Sequence, residues 1–255
     1  MSPRVAPKRP TTAATEFEPI RVEPAYRKVA AALLERITDR TISAGERLPA
    51  ETELARQFGV HRGTVREALR ELESNGVLKR ERGSKLMMVT RPARVTVAAG
   101  VSRALALHDV SFHDVWEALT ALEPPIAATA ARKRSATDLA KLEGIVARLD
   151  DDLDTAAVVE QTADFFHAVG EATANGVFML AHEPLVQLLV PSLEAMINQV
   201  PQARRRIAEA QRKLLLAIRE RSATQASDWM AKHIRDFRRG FEIAGIELER
   251  RVGSE

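Results

Sequence analysis

The stretch ETELARQFGVHRGTVREALRELESNG, residues 51–76, decides how the front of this chain folds. Glu51 to Phe58 reads as a short helix, and Gly59-Val60 as a tight turn. Arg62 to Ser74 reads as a second helix, because Val65, Ala68, Leu69 and Leu72 fall at i, i+3, i+4 and i+7 and form one apolar stripe. Arg62, Arg66 and Arg70 recur every four residues, so they share the outward stripe. Asn75-Gly76 stops the helix in the left-handed position, where Asn and Gly cost least. A short helix, a turn at glycine, and a helix whose first turn carries Arg and Thr is helix-turn-helix arithmetic.

Working outward, Tyr26 to Arg40 gives another helical stripe through Val29, Leu33, Leu34 and Ile37, closed by the loop Ser43 to Pro49. Beyond Gly76, Val77 to Arg80 reads as a strand, Glu81-Arg82-Gly83-Ser84 as a turn and Lys85 to Val89 as the returning strand. This hairpin has the form of a wing: Lys79, Arg80, Arg82 and Lys85 surround Gly83, which is thin enough to approach a phosphate backbone or minor groove. The expected partner is double-stranded DNA. An arginine at the start of a recognition helix can contact guanine with two hydrogen bonds. Thr64 can bond a phosphate or a base edge, and the first amides of the helix can hold a phosphate.

Charge supports a polyanion partner for the front alone. Residues 1–91 hold 18 Lys and Arg against 12 Asp and Glu, and residues 92–255 hold 20 against 23. The length of 255 residues favours two domains, and an apolar fraction of 45% is enough for a real core. There is no cysteine, which excludes disulfides and fits a cytoplasmic address. No apolar run reaches the roughly 20 residues of a membrane span, and the opening residues contain no apolar signal segment. Residues 1–20 are expected to be a disordered arm, 21–91 the DNA-binding domain and 92–96 a linker. Residues 97–248 should be an all-helical bundle of six or seven helices, divided by punctuation such as Ser135-Ala136-Thr137 and Asn175-Gly176. The fold class expected is therefore mainly α, a winged helix-turn-helix with a small β-hairpin followed by an all-α bundle. No phosphate-binding glycine loop is present, and no nucleophile with an ordered base can be found, so an enzyme is not expected. A metal-dependent enzyme and a binder without sequence preference are the rival readings; the latter would be governed by salt.

Gly45-Glu46-Arg47-Leu48-Pro49-Ala50-Glu51-Thr52-Glu53-Leu54-Ala55, then Phe58 to Leu69, then Leu72-Glu73-Ser74-Asn75-Gly76, strongly resembles the winged helix-turn-helix of the GntR regulators. The resemblance implies DNA contacts at Thr52, Arg62, Thr64, Arg66 and Gly83, with His61, Gly63, Arg70, Arg82 and Lys85 on the same surface. Thr52 stands where relatives often carry Arg, and His61 where Ser or Thr is common. Both departures lie at the interface, so the DNA site is expected to differ from the usual one. The resemblance also implies a homodimer on a short palindrome.

The back half is similar to the FCD effector domain of the FadR subfamily, through Glu117, Leu122-Glu123, Phe166-His167, Asn175 and His233. That similarity implies a small-molecule effector. Many relatives hold a divalent metal with an Asp one turn before the Phe-His histidine, that histidine and two more histidines, and clamp a carboxylate with an Arg. Here Ala163 occupies the Asp position, with Asp164 one residue off. Gln211 replaces one histidine, His167 and His233 remain, and Leu119 stands at the clamp. Asp164, His167 and His233 are the ligands if a metal binds. With ionic anchors replaced by Leu119 and Ala163, the expected effector is hydrophobic, of fatty-acid or acyl-CoA type, in a cavity near Leu185 to Val200. The alternatives are a metal-dependent carboxylate sensor and a filled pocket.

Overall fold

Gly59 closes the second helix of the chain at φ 64° and ψ 33°, a left-handed conformation that costs glycine nothing. A computed structural model describes residues 23–81, 83–84, 86–148 and 154–252. The chain divides between Arg91 and Pro92 into two units.

In the front unit α1 (Ala25–Thr38) packs on α3 (Arg62–Ser74), and α2 (Glu51–Phe58) meets α3 across the Gly59 turn. Gly76 takes φ 71°, whereas Asn75 stays at φ −83°, so the glycine alone makes the left-handed stop. β1 (Leu78–Arg80) pairs antiparallel with β2 (Met87–Val89), Lys79 opposite Met88. Both strands are shorter than the sequence suggests, since Val77 and Leu86 lie outside them. The stripe residues Val29, Leu33, Val65, Ala68, Leu69 and Leu72 lie in the core, joined by Leu48, Leu54, Leu78, Met87 and Val89. Leu34, placed on the apolar stripe, is instead 42% exposed.

The second unit holds seven helices among the described residues. They are α4 (Arg94–Leu107), α5 (Phe112–Lys133), α6 (Ala136–Ala147), α7 (Thr155–Ala172), α8 (Gly176–Gln199), α9 (Ala203–Arg219) and α10 (Ala223–Ile243). Helix α4 begins at Arg94, inside the stretch 92–96 read as linker. Helix α5 is the axis of the bundle, packed on α7, α8, α9 and most extensively on α10. It contains Pro124 and Pro125, each of which removes a backbone donor. Capping boxes start two helices. Ser111 and Asp114 exchange bonds ahead of α5, and Ser135 and Asp138 do so ahead of α6. Phe165, Phe166, Leu142, Leu193, Met196, Leu214 and Ile218 fill the centre.

Both tryptophans belong to this unit. Trp116 donates to the Ile234 carbonyl and lies under the Arg238 guanidinium, and Trp229 lies under Lys232. The tail after α10 turns back to the start of α5, with the Val252 amide bonded to the Val110 carbonyl and the Val252 side chain buried. No single helix among the described residues is long and apolar enough to cross a membrane; the arms of α8 meet at 46°.

Candidate functional site

Two surfaces gather functional side chains, one in each unit. In the front unit, Ala50, Glu51, Thr52, Arg62, Arg66, Arg70, Arg80 and Leu86 line an open concavity of about 450 Å³. The α2–α3 angle set by Gly59 brings the start of α2 beside the outward stripe of α3. Thr52, His61, Arg62, Gly63, Arg66 and Arg70 are exposed there, and Thr64 is half-buried. His61 is the N-cap of α3 and makes no side-chain cap, which leaves the first amides of α3 open to an anion. Gly83 takes φ 78° at the hairpin tip, and a Cβ added there would meet nothing. The expected contacts Arg82 and Lys85 lie outside the described residues.

Sequence reading missed Glu51. Its Oε2 accepts from Arg62 Nε at 2.8 Å and from Arg66 Nε and Nη2 at 3.4 Å. The hydrogen bond from Arg62 is the main reason its carboxyl lies below the usual carboxylate range. The spacing of eleven and fifteen residues carries no periodic signal that would announce the pair.

In the helical unit, Arg94, Lys141, Arg148, Asp164, His167, Glu171 and Glu183 line a cleft of about 480 Å³. Glu171 holds the Arg94 guanidinium at 2.7 Å with one oxygen and the Lys141 ammonium with the other. Burial raises its carboxyl, yet these bonds prevail and leave it below the ordinary range. Asp164 pairs with Arg148 at 3.6 Å. His167 Nε2 lies 3.1 Å from Glu183 Oε1, within ion-pair range but too poorly aligned for a hydrogen bond, and this contact holds the Glu183 carboxyl low. Behind the cleft, His182 Nδ1 and Glu123 Oε1 face each other at 3.1 Å, both fully buried. The His167 and His182 rings meet edge to face at 6.3 Å, and Gly170 leaves His182 its room: a Cβ there would come within 2.5 Å of Nε2.

The expected effector residues therefore separate. Asp164 and His167 line the cleft. Leu119 is core, Ala163 packs against it, and Asn175 is the N-cap of α8 through its bond to the Val177 amide. Gln211 is buried and accepts from Gln161 Nε2 at 2.8 Å. His233 stacks on Phe166 at 5.7 Å, with Phe237 at 4.4 Å, and burial pushes its pKa down to about 3. These residues do not fit a divalent metal. Asp164 is turned to Arg148, His167 to Glu183, and His233 to the aromatic core. Among the described residues no three His, Asp or Glu side chains form a possible metal site.

The hydrophobic cavity also needs correction. The apolar pocket beside His233, between Met196, Ile207, Phe237 and Gly240, holds about 30 Å³. That is room for a water or two, against the roughly 300 Å³ at which ligand pockets begin. Leu185, Leu189, Leu193, Met196 and Ile197 of α8 are buried in the core.

Residues 25–86 match the family model described as bacterial regulatory proteins, gntR family, and residues 114–236 match the FCD domain. The chain carries the reader of the GntR regulators followed by an FCD domain. It is similar to the Uxu operon regulator of Haemophilus influenzae, 29% identical over 87% of this chain and 84% of that protein. It is also similar to the HTH-type transcriptional repressor NanR of Cronobacter sakazakii, 27% identical over 78% of each. Among solved structures it is similar to Streptococcus agalactiae GntR, at 25% identity and a TM-score of 0.59, covering 84% of this chain and 99% of that one. It is thus a transcriptional regulator of the GntR type, with a helix-turn-helix reader and an FCD domain, and its named relatives are regulators.

Proposed function

We propose that this GntR-family regulator, of the FadR subfamily, is a cytoplasmic repressor. It binds a palindromic duplex site as a homodimer and loses affinity when its helical unit takes up a small molecule. The carrying observation is the stripe of exposed Arg62, Arg66 and Arg70 on α3, flanked by Thr52 and Arg80 in one concavity. A helix presenting guanidinium groups and open amides suits the major groove. The apolar side chains that α4 leaves exposed, Val95, Val101 and Leu107, support a second copy as partner. The named repressor among its relatives supports the direction of control.

For the effector, the charged cleft around Glu171 and His167 supports a polar, charged small molecule in place of an acyl chain. Binding would act by linkage, with a coupling of about 1–3 kcal/mol between ligand and DNA. Selection from a random duplex library defines the preferred site. On that site Arg62→Ala should lose about 1–3 kcal/mol in a mobility-shift titration and relax base preference. Unchanged affinity would remove α3 as the reading element, and a monomer by native mass spectrometry would remove the palindrome.

A further inference from the structure

A carboxylate in the middle of a surface that receives a polyanion opposes binding electrostatically, and Glu51 is such a carboxylate. Its side chain is 17% exposed, on the first turn of α2, and it faces two of the three arginines on the α3 stripe. One oxygen serves both, with Arg62 Nε at 2.8 Å and Arg66 at 3.4 Å. Arg70, one turn further along α3 in the same concavity, has no carboxylate in ion-pair range among the described residues.

The way Arg62 is held matters. Glu51 takes only its Nε, so both terminal nitrogens stay free. Those two nitrogens are the fork that reads the O6 and N7 edge of guanine. An arginine without such an anchor is a long, mobile cation that any phosphate can capture. An arginine anchored at Nε loses that freedom before DNA arrives and presents its fork in one direction.

We propose that Glu51 is a positioning residue of the DNA-reading surface: it converts Arg62 from a general phosphate ligand into a base reader, raising sequence discrimination while lowering affinity for DNA at large. This rests on the reading of α3 as the groove-entering element. It predicts a division of labour along the stripe, with Arg62 directed by Glu51 and Arg70 left to the phosphates.

The test uses the full-length protein, the duplex selected by the wild type and a scrambled duplex of equal length, titrated across a salt series. Glu51→Gln should bind the scrambled duplex more tightly. Its salt slope should steepen by about one, as one more phosphate contact forms. The ratio of selected to scrambled affinity should fall about tenfold, the value of one oriented base contact. Glu51→Asp, which keeps the charge on a shorter arm, should fall between. Were Glu51 only a brace between α2 and α3, Glu51→Gln would melt earlier, weaken both duplexes in parallel and leave the salt slope unmoved; that pattern overturns the proposal. Arg62→Ala separates the two levels. If it loses the selected duplex while Glu51→Gln matches the wild type, the reading of α3 stands and the role of Glu51 falls. If Arg62→Ala binds as the wild type does, both fall.

Discussion

The two units of this regulator treat charge in opposite ways. In the reader, Arg62 and Arg66 keep 57% and 45% of their side-chain surface in solvent and share one partner, Glu51. In the helical unit, Glu123, His182, Gln161, Gln211 and His233 are buried among apolar side chains. Surface charge contributes little to stability and is free to act on a partner. Buried polar groups are costly to leave unmatched, so each tends to be fixed by what surrounds it. Substitutions in the reader should therefore change binding at nearly constant stability, and substitutions among the buried groups should change stability first.

The sharpest break comes at the buried pair. His182→Ala leaves the buried Glu123 side chain without its partner, so it should cost about 3–5 kcal/mol in urea denaturation. Replacing both residues with Leu should recover most of it. A loss under 1 kcal/mol would mean that the interior of the helical unit tolerates an unmatched polar group as a surface does.

His233 gives the next effect. Burial holds its pKa at about 3 in the folded chain, against roughly 6.5 when unfolded. The unfolded chain binds the proton more readily, so the contribution is fully present above pH 6.5 and lost as pH falls from there toward 3. Between pH 7 and pH 5 it should amount to roughly 2 kcal/mol. His233→Leu should flatten the difference between urea midpoints measured at the two pH values; an equally steep variant would assign the acid sensitivity elsewhere.

A smaller loss, about 1 kcal/mol, is expected for Ser111→Ala, which removes the capping box at the start of α5. Smallest of all is the stability change of Arg62→Ala, below about 1 kcal/mol for so exposed a pair, although the same variant should be the most damaging to DNA recognition. A melting temperature that dropped sharply for Arg62→Ala would erase the contrast between the units.

How far the sequence disclosed each unit follows the same division. The helix-turn-helix was legible because its signals are local: Gly59 and Gly76 are turns, and Val65, Leu69 and Leu72 repeat with the helical period. The helical bundle was legible as a class and in its breaks, Ser135-Ala136-Thr137 and Asn175-Gly176 among them. The early start of α4 was hidden because Arg94 to Leu107 is apolar nearly all round and carries no stripe. The interior polar pairs were hidden for a different reason. Glu123 and His182 stand 59 residues apart, and Gln161 and Gln211 stand 50 apart. Only the packing of α5 against α8, and of α7 against α9, brings them together. Gln211 was legible only as the replacement of a histidine, and nothing pointed to Gln161. The cavity inferred from the apolar run of α8 failed because such a run is equally what a filled core requires.

The placement of the aromatic residues gives the molecule a built-in pair of optical reporters. Trp116 and Trp229 are its only tryptophans, both in the helical unit, and Tyr26 in the reader is its only tyrosine. Excitation at the red edge of the protein band therefore watches one unit alone, without any label. Each indole lies beneath a cation, Arg238 over Trp116 and Lys232 over Trp229. A shift in either cation should alter the emission colour before the helices come apart. The absence of cysteine leaves a second channel open, since one thiol introduced on α3 would carry the only dye in the chain. Energy transfer from the two indoles to that dye would then follow the separation of the two units as ligand or DNA is added.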